Sequence, residues 1–419
     1  MEKAASEGGN CMNIVYHEQG KVFHLFNDSV SYIFMVLPHG GLGSLYYGKA
    51  LRDREGFEHI FERVHRGMTA CVFADTRSYS LDAIRQELPT YGSSDFRRPA
   101  LNVLQENGSR ILDLQYAGYR VMDGKPKLAG LPATYAEAET EAKTLIVEVK
   151  DELTGLRAEL LYTIFAEGGA IARSVRYINE GKEVLHLQKV MSMSIDLPDT
   201  QYDWLELTGA WSRERHIEIR PLTTGITAIG SRRGHSSGQY NPFAALLRRG
   251  TTETCGEALA MSLVYSGNFE MLAEVDNHGV TRLQAGIHST DFDWKLVPGA
   301  EFQTPEAVLV WTDAGLNGMS QTYHRLYQKR LARGSWRDKV RPILINNWEA
   351  TYFDFTEEKL LKIADKAAEC GIELFVLDDG WFGARTSDYA GLGDWTVNRD
   401  RLPNGIDGLA EKIEARGMK

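Results

Sequence analysis

A multi-domain chain of β and α/β parts, with a large antiparallel β-sandwich followed by the start of a parallel α/β part, is the architecture predicted by three features of this sequence. Apolar and polar residues alternate with a period of two from Val22 to about Val310. Turn pairs interrupt that alternation at short intervals. Past residue 341 the pattern becomes strand, helix, strand within about 30 residues, the length of a βαβ unit.

The alternation is clearest in Leu145, Val147 and Val149 and in Leu156, Ala158, Leu160, Tyr162 and Ile164, which describe half-buried strands. Asn107-Gly108, Thr154-Gly155, Gly168-Gly169 and Glu180-Gly181 are turn pairs, several of them suited to hairpins. So many consecutive antiparallel strands imply two packed sheets over residues 1–314. The period then changes. Leu316, Met319, Tyr323, Leu326, Tyr327 and Leu331 fall on one helical face ending near Gly334, which predicts a linker helix within 315–340.

The third part, 341–419, opens with the apolar run Ile343 to Ile345 and continues with a second run, Ile372 to Leu377. Both read as buried parallel strands. Between them Thr356 caps a helix with Glu357 and Glu358 in its first turn, Leu360, Ala364, Ala367 and Ala368 on its apolar face, and Gly371 at its end. A further helix over about 408–416, with Leu409 and Ile413 on one face, follows. Two strands and two helices neither close a (β/α)8 barrel nor cover both faces of an open parallel sheet, so this part is expected to be incomplete.

The composition limits what the chain can do. Its 419 residues, 43% hydrophobic and 25% charged, are ordinary for soluble globular protein and too many for one average domain. A formal net charge of -10 supplies no basic field, which argues against nucleic acid and anionic membranes as partners. The start MEKAASEGGNCMN has no apolar segment behind its basic residue, and no run of about 18 apolar residues occurs. A soluble, cytoplasmic protein without a signal peptide is expected. Cys11, Cys71, Cys255 and Cys370 are scattered singly, as reduced thiols would be, and Cys370, closing an apolar helical stretch, is expected to be buried.

Asn346, Asn347, Trp348 and Glu349 end the first parallel strand; Asp378, Asp379, Gly380 and Trp381 end the second. In α/β barrels the active site is built at these carboxyl ends. Asp378 and Asp379 are adjacent, so their side chains diverge and do not straddle a glycosidic bond, whereas double displacement needs carboxyls roughly 5–5.5 Å apart on opposite sides of it. They suit hydrogen bonds from sugar hydroxyls, with Trp348 offering a ring face or an indole N–H. Two blander roles compete: Asp-Asp-Gly can cap the following turn, and Trp348 can be core. A divalent-ion role for the aspartates lacks companion ligands nearby, so no metal and no cofactor is assigned. Asp394, Trp395, Arg399 and Asp400 lie in an ordered rim loop, where surface ion pairing competes with substrate contact. His65, His235 and His288 have no spacing that marks catalysis.

These motifs carry a resemblance. NNWEATYFDF followed by FVLDDGWFG resembles the start of the catalytic barrel in family 36 glycoside hydrolases, the α-galactosidases. Upstream, SLDAIRQELPTYGSSDFRRPAL, SRRGHSSGQYNPF and LNGMSQTYHRLYQKRL resemble that family's amino-terminal sandwich and linker, in order. The resemblance implies retaining hydrolysis of terminal α-galactosyl groups from oligosaccharides such as melibiose and raffinose, with Trp348, Asp378 and Asp379 at the galactose-binding positions. It also implies a homo-oligomer at full length. The family's nucleophile, in a K-W-D type motif, and its acid/base have no counterpart before Lys419, so the catalytic residues are expected beyond it and the chain alone is expected to be inactive. Some members place an acidic residue of a neighbouring subunit in the site; the matching position here is His65, in RVHRG, which lacks that acid. A raffinose-synthase-like galactosyltransferase and a non-catalytic carbohydrate-binding sandwich are the competing functions.

Overall fold

The computed structural model describes residues 12–73, 76 and 78–419, so Cys11 and the first residues of the chain lie outside it. The chain divides into two compact units, Met1–Ala332 and Arg333–Lys419. No helix among the described residues is long and apolar enough to cross a membrane.

The first unit is mostly antiparallel sheet. Asn13–His17, Val22–Phe26, Val30–Val36 and Leu42–Lys49 form a four-stranded meander. A six-stranded sheet is built around the long strand Leu185–Leu197, and a ten-stranded sheet runs from Arg213–Pro221 to Gln115–Asp123. Every ladder between these strands is antiparallel. The period-two residues behave as the sequence predicts: Leu145 faces Tyr162, Val147 faces Leu160 and Val149 faces Ala158, all buried in a core shared by the three sheets.

Thr154-Gly155 and Gly168-Gly169 close hairpins, with Gly155 and Gly168 at positive φ. Glu180-Gly181 does something else: it carries the chain from the ten-stranded sheet to the six-stranded one. The two turns touch, since a Cβ on Gly181 would stand 2.1 Å from the Thr154 carbonyl oxygen. Glycine is needed there for proximity.

The expected linker helix is α1, Gly315–Arg330, and it belongs to the first unit. Met319, Tyr323 and Leu326 are buried against Ala170, Ala260 and Val308 of the ten-stranded sheet, and the Tyr323 hydroxyl donates to the Val308 carbonyl at 2.9 Å.

In the second unit Leu344–Asn346 pairs in parallel with Leu374–Val376, in the register Leu344 to Leu374, Ile345 to Phe375 and Asn346 to Val376. The short helix α2, Trp348–Thr351, follows the first strand, and α3, Glu357–Glu369, supplies the crossover. Thr356 caps α3 by accepting the Lys359 amide, and Gly371 leaves it at positive φ. The last helix, α4, Gly405–Glu414, buries Leu409 and Ile413 with Leu360, Ala364 and Phe375. Glu357, at the start of α3, receives Lys412 and the Asn404 amide group, and the ammonium lowers its carboxyl pKa.

Two expectations fail here. Ile343 and Leu344 are 60% and 50% exposed rather than buried, because within this unit their strand has a single partner strand and the helical cluster gathers Ile345 and Phe375 instead. Cys370 is exposed, because it follows the last helical residue, past the buried stripe that ends at Ala367. The far edge of the second strand is occupied at one point. Lys419 donates its amide to the Glu373 carbonyl at 3.0 Å and accepts the Phe375 amide at 2.9 Å, the pattern of a parallel neighbour.

Candidate substrate-binding site

The two parallel strands end side by side, and their polar residues are bonded to one another. Asn347 is fully buried; its side-chain carbonyl accepts the Asp378 amide at 2.8 Å and its NH2 donates to Thr351 Oγ1 at 3.0 Å. Asn346 is more exposed. Its NH2 donates to Asp378 Oδ2 at 2.6 Å, while its carbonyl accepts the Trp348 amide at 2.7 Å. One carboxamide thus fixes both the Asp378 carboxylate and the start of α2, where Trp348 sits half-buried, edge-on to the rings of Tyr352 and Phe353 at 5.3 and 4.9 Å.

The two aspartates have different surroundings. Asp378 accepts from Asn346 and, through Oδ1, from the Asp379 amide at 2.7 Å. Asp379 accepts the Gly380 amide at 2.7 Å and a forked pair from Arg385, with Nε at 2.8 Å and Nη2 at 2.7 Å from Oδ2. Arg385 is itself buried, spends Nη1 on the Ser387 and Ala390 carbonyls, and lies over the Phe353 ring. Its guanidinium lowers the Asp379 carboxyl pKa, and the carboxylate raises that of the guanidinium. A carboxylate has about four lone-pair sites, so Asp378 keeps more free capacity for an incoming hydroxyl than Asp379. The turn-capping role is realised as well, because one oxygen of each aspartate holds the next amide.

Gly380 permits this corner. Its φ is +90°, and a Cβ would meet Arg401 Nη1 at 2.9 Å and the Phe353 ring at 3.1 Å. Arg401 in turn donates to the Gly380 carbonyl at 2.7 Å. Neither Arg385 nor Arg401 was distinguishable in the sequence from other loop arginines; only the glycine after two aspartates marked the turn. Asn346 and Asn347 were visible at the strand end without a role.

The other sequence candidates lie apart from this network. Trp395 is exposed and packs on Phe382 and Trp381, and Arg399 donates to the Pro403 carbonyl. His65 and His235 are exposed; His288, whose burial lowers its pKa, accepts the Thr290 amide.

Residues 40–297 match the glycosyl hydrolase family 36 N-terminal domain, and residues 301–419 match melibiase. The chain is 52% identical to α-galactosidase AgaA of Geobacillus stearothermophilus and 42% identical to α-galactosidase Mel36A of Lactobacillus acidophilus, covering 97% of itself and 56% of each relative. It superposes on the crystal structure of α-galactosidase AgaB from G. stearothermophilus with a TM-score of 0.93 over 97% of this chain and 56% of that one. Structures of AgaA variants with raffinose and with stachyose score 0.93 and 0.92, each at 53% identity, covering 95% of this chain and 55% of theirs. These matches define a class, the glycoside hydrolases. The chain belongs to glycosyl hydrolase family 36, and it spans a little over half the length of these relatives.

Proposed function

We propose that this chain supplies the sandwich and the galactose-reading side of a retaining α-galactosidase acting on oligosaccharides of the raffinose and melibiose type. The observation that carries the reading is the Asp378 carboxylate, held by Asn346 at the mouth of two parallel strands with acceptor capacity left, beside Trp348. Asp378 and Asp379 accept galactosyl hydroxyls, and Arg385 keeps Asp379 ionised and oriented. A buried acceptor left unpaired by the wrong epimer costs about 1–3 kcal/mol, which is how such a pair discriminates galactose from glucose.

Double displacement needs two opposed carboxyls. The adjacent pair here diverges, one toward Asn346 and one toward Arg385, so nucleophile and acid/base come from outside these 419 residues. The pairing of Lys419 with the second strand supports a sheet that continues past it into a barrel. The test is a chimera that continues from Lys419 into the corresponding remainder of AgaA, assayed on an aryl α-galactoside beside the 419-residue chain. The chimera is expected to turn over and the chain alone is not. Asp378→Asn and Asp379→Asn in the chimera are each expected to lose on the order of 2 kcal/mol of transition-state stabilisation. Equal turnover by chain and chimera, or unchanged kcat/KM in both variants, overturns the proposal.

A further inference from the structure

The four-stranded meander carries a group of polar side chains that the sugar site does not use. His17 lies opposite Val22, and His24 stands two residues further along that second strand. Ser31 is displaced by two from Ile33, the partner of His24 on the third strand. Diagonal neighbours of this kind share one face of a sheet, so residues spaced by seven along the chain, 17, 24 and 31, come together. Asp53, in the segment after Leu42–Lys49, completes the group. Its Oδ1 is 3.0 Å from His17 Nε2 and 2.7 Å from His24 Nδ1. On the far side His24 Nε2 lies 2.9 Å from Ser31 Oγ, which accepts the Leu51 amide at 2.9 Å.

Asp53, His24 and Ser31 are connected as in a serine-hydrolase triad, but Ser31 and His24 are fully buried, which denies a substrate any approach to the hydroxyl. The open side is the other one. The Asp53 side chain is 30% exposed and that of His17 11%, so small solutes reach the carboxylate and the His17 nitrogen facing it, while His24 closes the group from its buried side.

We propose that His17 Nε2, His24 Nδ1 and Asp53 Oδ1 form a binding site for a divalent transition-metal ion of the zinc type. Among the described residues this is the one group in which three such ligand atoms lie within 4.8 Å of one another. Two imidazoles and one carboxylate make a three-ligand set for zinc, with water from the exposed Asp53 side as the fourth ligand. At metal–ligand distances of about 2.0–2.2 Å, tetrahedral ligand atoms stand roughly 3.3–3.5 Å apart. The Asp53–His17 and Asp53–His24 separations therefore need to open by only a few tenths of an ångström to somewhat under one ångström, and the two histidine nitrogens, within 4.8 Å of one another, settle to the same spacing. Each histidine binds as the tautomer with its proton on the remote nitrogen. For His24 that nitrogen faces Ser31 Oγ, so the serine acts as an outer partner that orients the imidazole. The rings also pack around Phe57, at 5.0 Å from His24 and 6.2 Å from His17, which limits their rotation.

The test is calorimetric titration of ZnCl2, and visible absorption on adding CoCl2, with the chain carrying all four cysteines as serine to remove competing thiolates. One ion per chain, a tetrahedral Co2+ spectrum and a raised Tm are expected. His17→Ala and Asp53→Asn should each abolish stoichiometric binding, and Ser31→Ala should weaken it about 10- to 100-fold. If a variant fails to fold, imidazole nitrogen NMR of the unsubstituted sites keeps the question open to measurement: zinc must shift the His17 and His24 signals. No saturable binding, binding retained in both His17→Ala and Asp53→Asn, or shifts confined to other histidines overturns the site.

Discussion

Single residues in this chain hold charge and backbone strain in positions that composition does not reveal. Lys189 is the sharpest case. It is buried on the strand Leu185–Leu197, its Nζ makes no hydrogen bond, and the nearest carboxylate, Glu270, is 3.7 Å away. Desolvation lowers its pKa to about 8. An unfolded lysine titrates near 10.4, so between roughly pH 8 and 10 the unfolded chain holds more protons and folding stability rises with pH. Lys189→Met should remove that alkaline rise, which is read from the difference between the two proteins in urea unfolding across pH 7.5–10.5. A parallel pH dependence in both would show that Lys189 is normal. Gly380→Ala is predicted to destabilise the second unit by more than about 1 kcal/mol, since positive φ and the contacts with Arg401 and Phe353 both oppose a methyl. Restoring the loss by trimming Arg401 alone would assign it to contact rather than to φ.

At the level of elements, the sequence is legible where one element's pattern suffices. The faces of α1 and α3, the Thr356 cap and the paired alternation of Leu145–Val149 with Leu156–Ile164 follow from local periodicity. What escapes is anything set by a distant partner. Glu180-Gly181 has the composition of a hairpin turn and serves as a crossing between sheets, because that choice depends on which neighbour the next strand finds. Ile343 and Leu344 have the composition of buried strand residues, yet burial depends on what covers them. Asn347 joins two strand ends that local pattern treats separately. Replacing it with alanine leaves the Asp378 amide without its acceptor and should cost about 1–3 kcal/mol of the second unit's stability by chemical denaturation. A cost below about half that would mean that water takes over the bond.

The first unit as a whole is pinned by a buried ion pair. Arg173 of the ten-stranded sheet lies 3.1 Å from Glu87, donates to the Ser194 carbonyl of the six-stranded sheet at 3.0 Å, and meets the Tyr32 hydroxyl of the meander at 2.5 Å. Glu87 also receives the hydroxyls of Tyr32 and Tyr162, at 2.7 and 3.0 Å. Arg173→Met leaves a carboxylate stranded and should cost about 3–5 kcal/mol, whereas Arg173→Met with Glu87→Gln should recover part of it. Equal losses for the single and double variants, measured by thermal unfolding, would rule out a charge origin. Period and turn chemistry in the sequence predict the sandwich class, but the order of the strands and this junction arise from contacts between residues as far apart as Tyr32 and Arg173. The candidate sugar site was readable for a different reason: strand ends are marked by local polarity, and Trp348, Asp378 and Asp379 fall there.

The crossover through α3 has a consequence in time. Leu344 and its partner Leu374 are separated by 30 positions, and a growing chain is extended at about 5–20 residues per second. For roughly 1.5–6 s of synthesis the first parallel strand therefore exists with no neighbour, its Ile345 side chain without the core it packs on and Asn347 without the amide it will hold. Rare codons placed between Asn347 and Ile372 would lengthen that interval without altering the finished protein, and the yield of folded chain would register the pause.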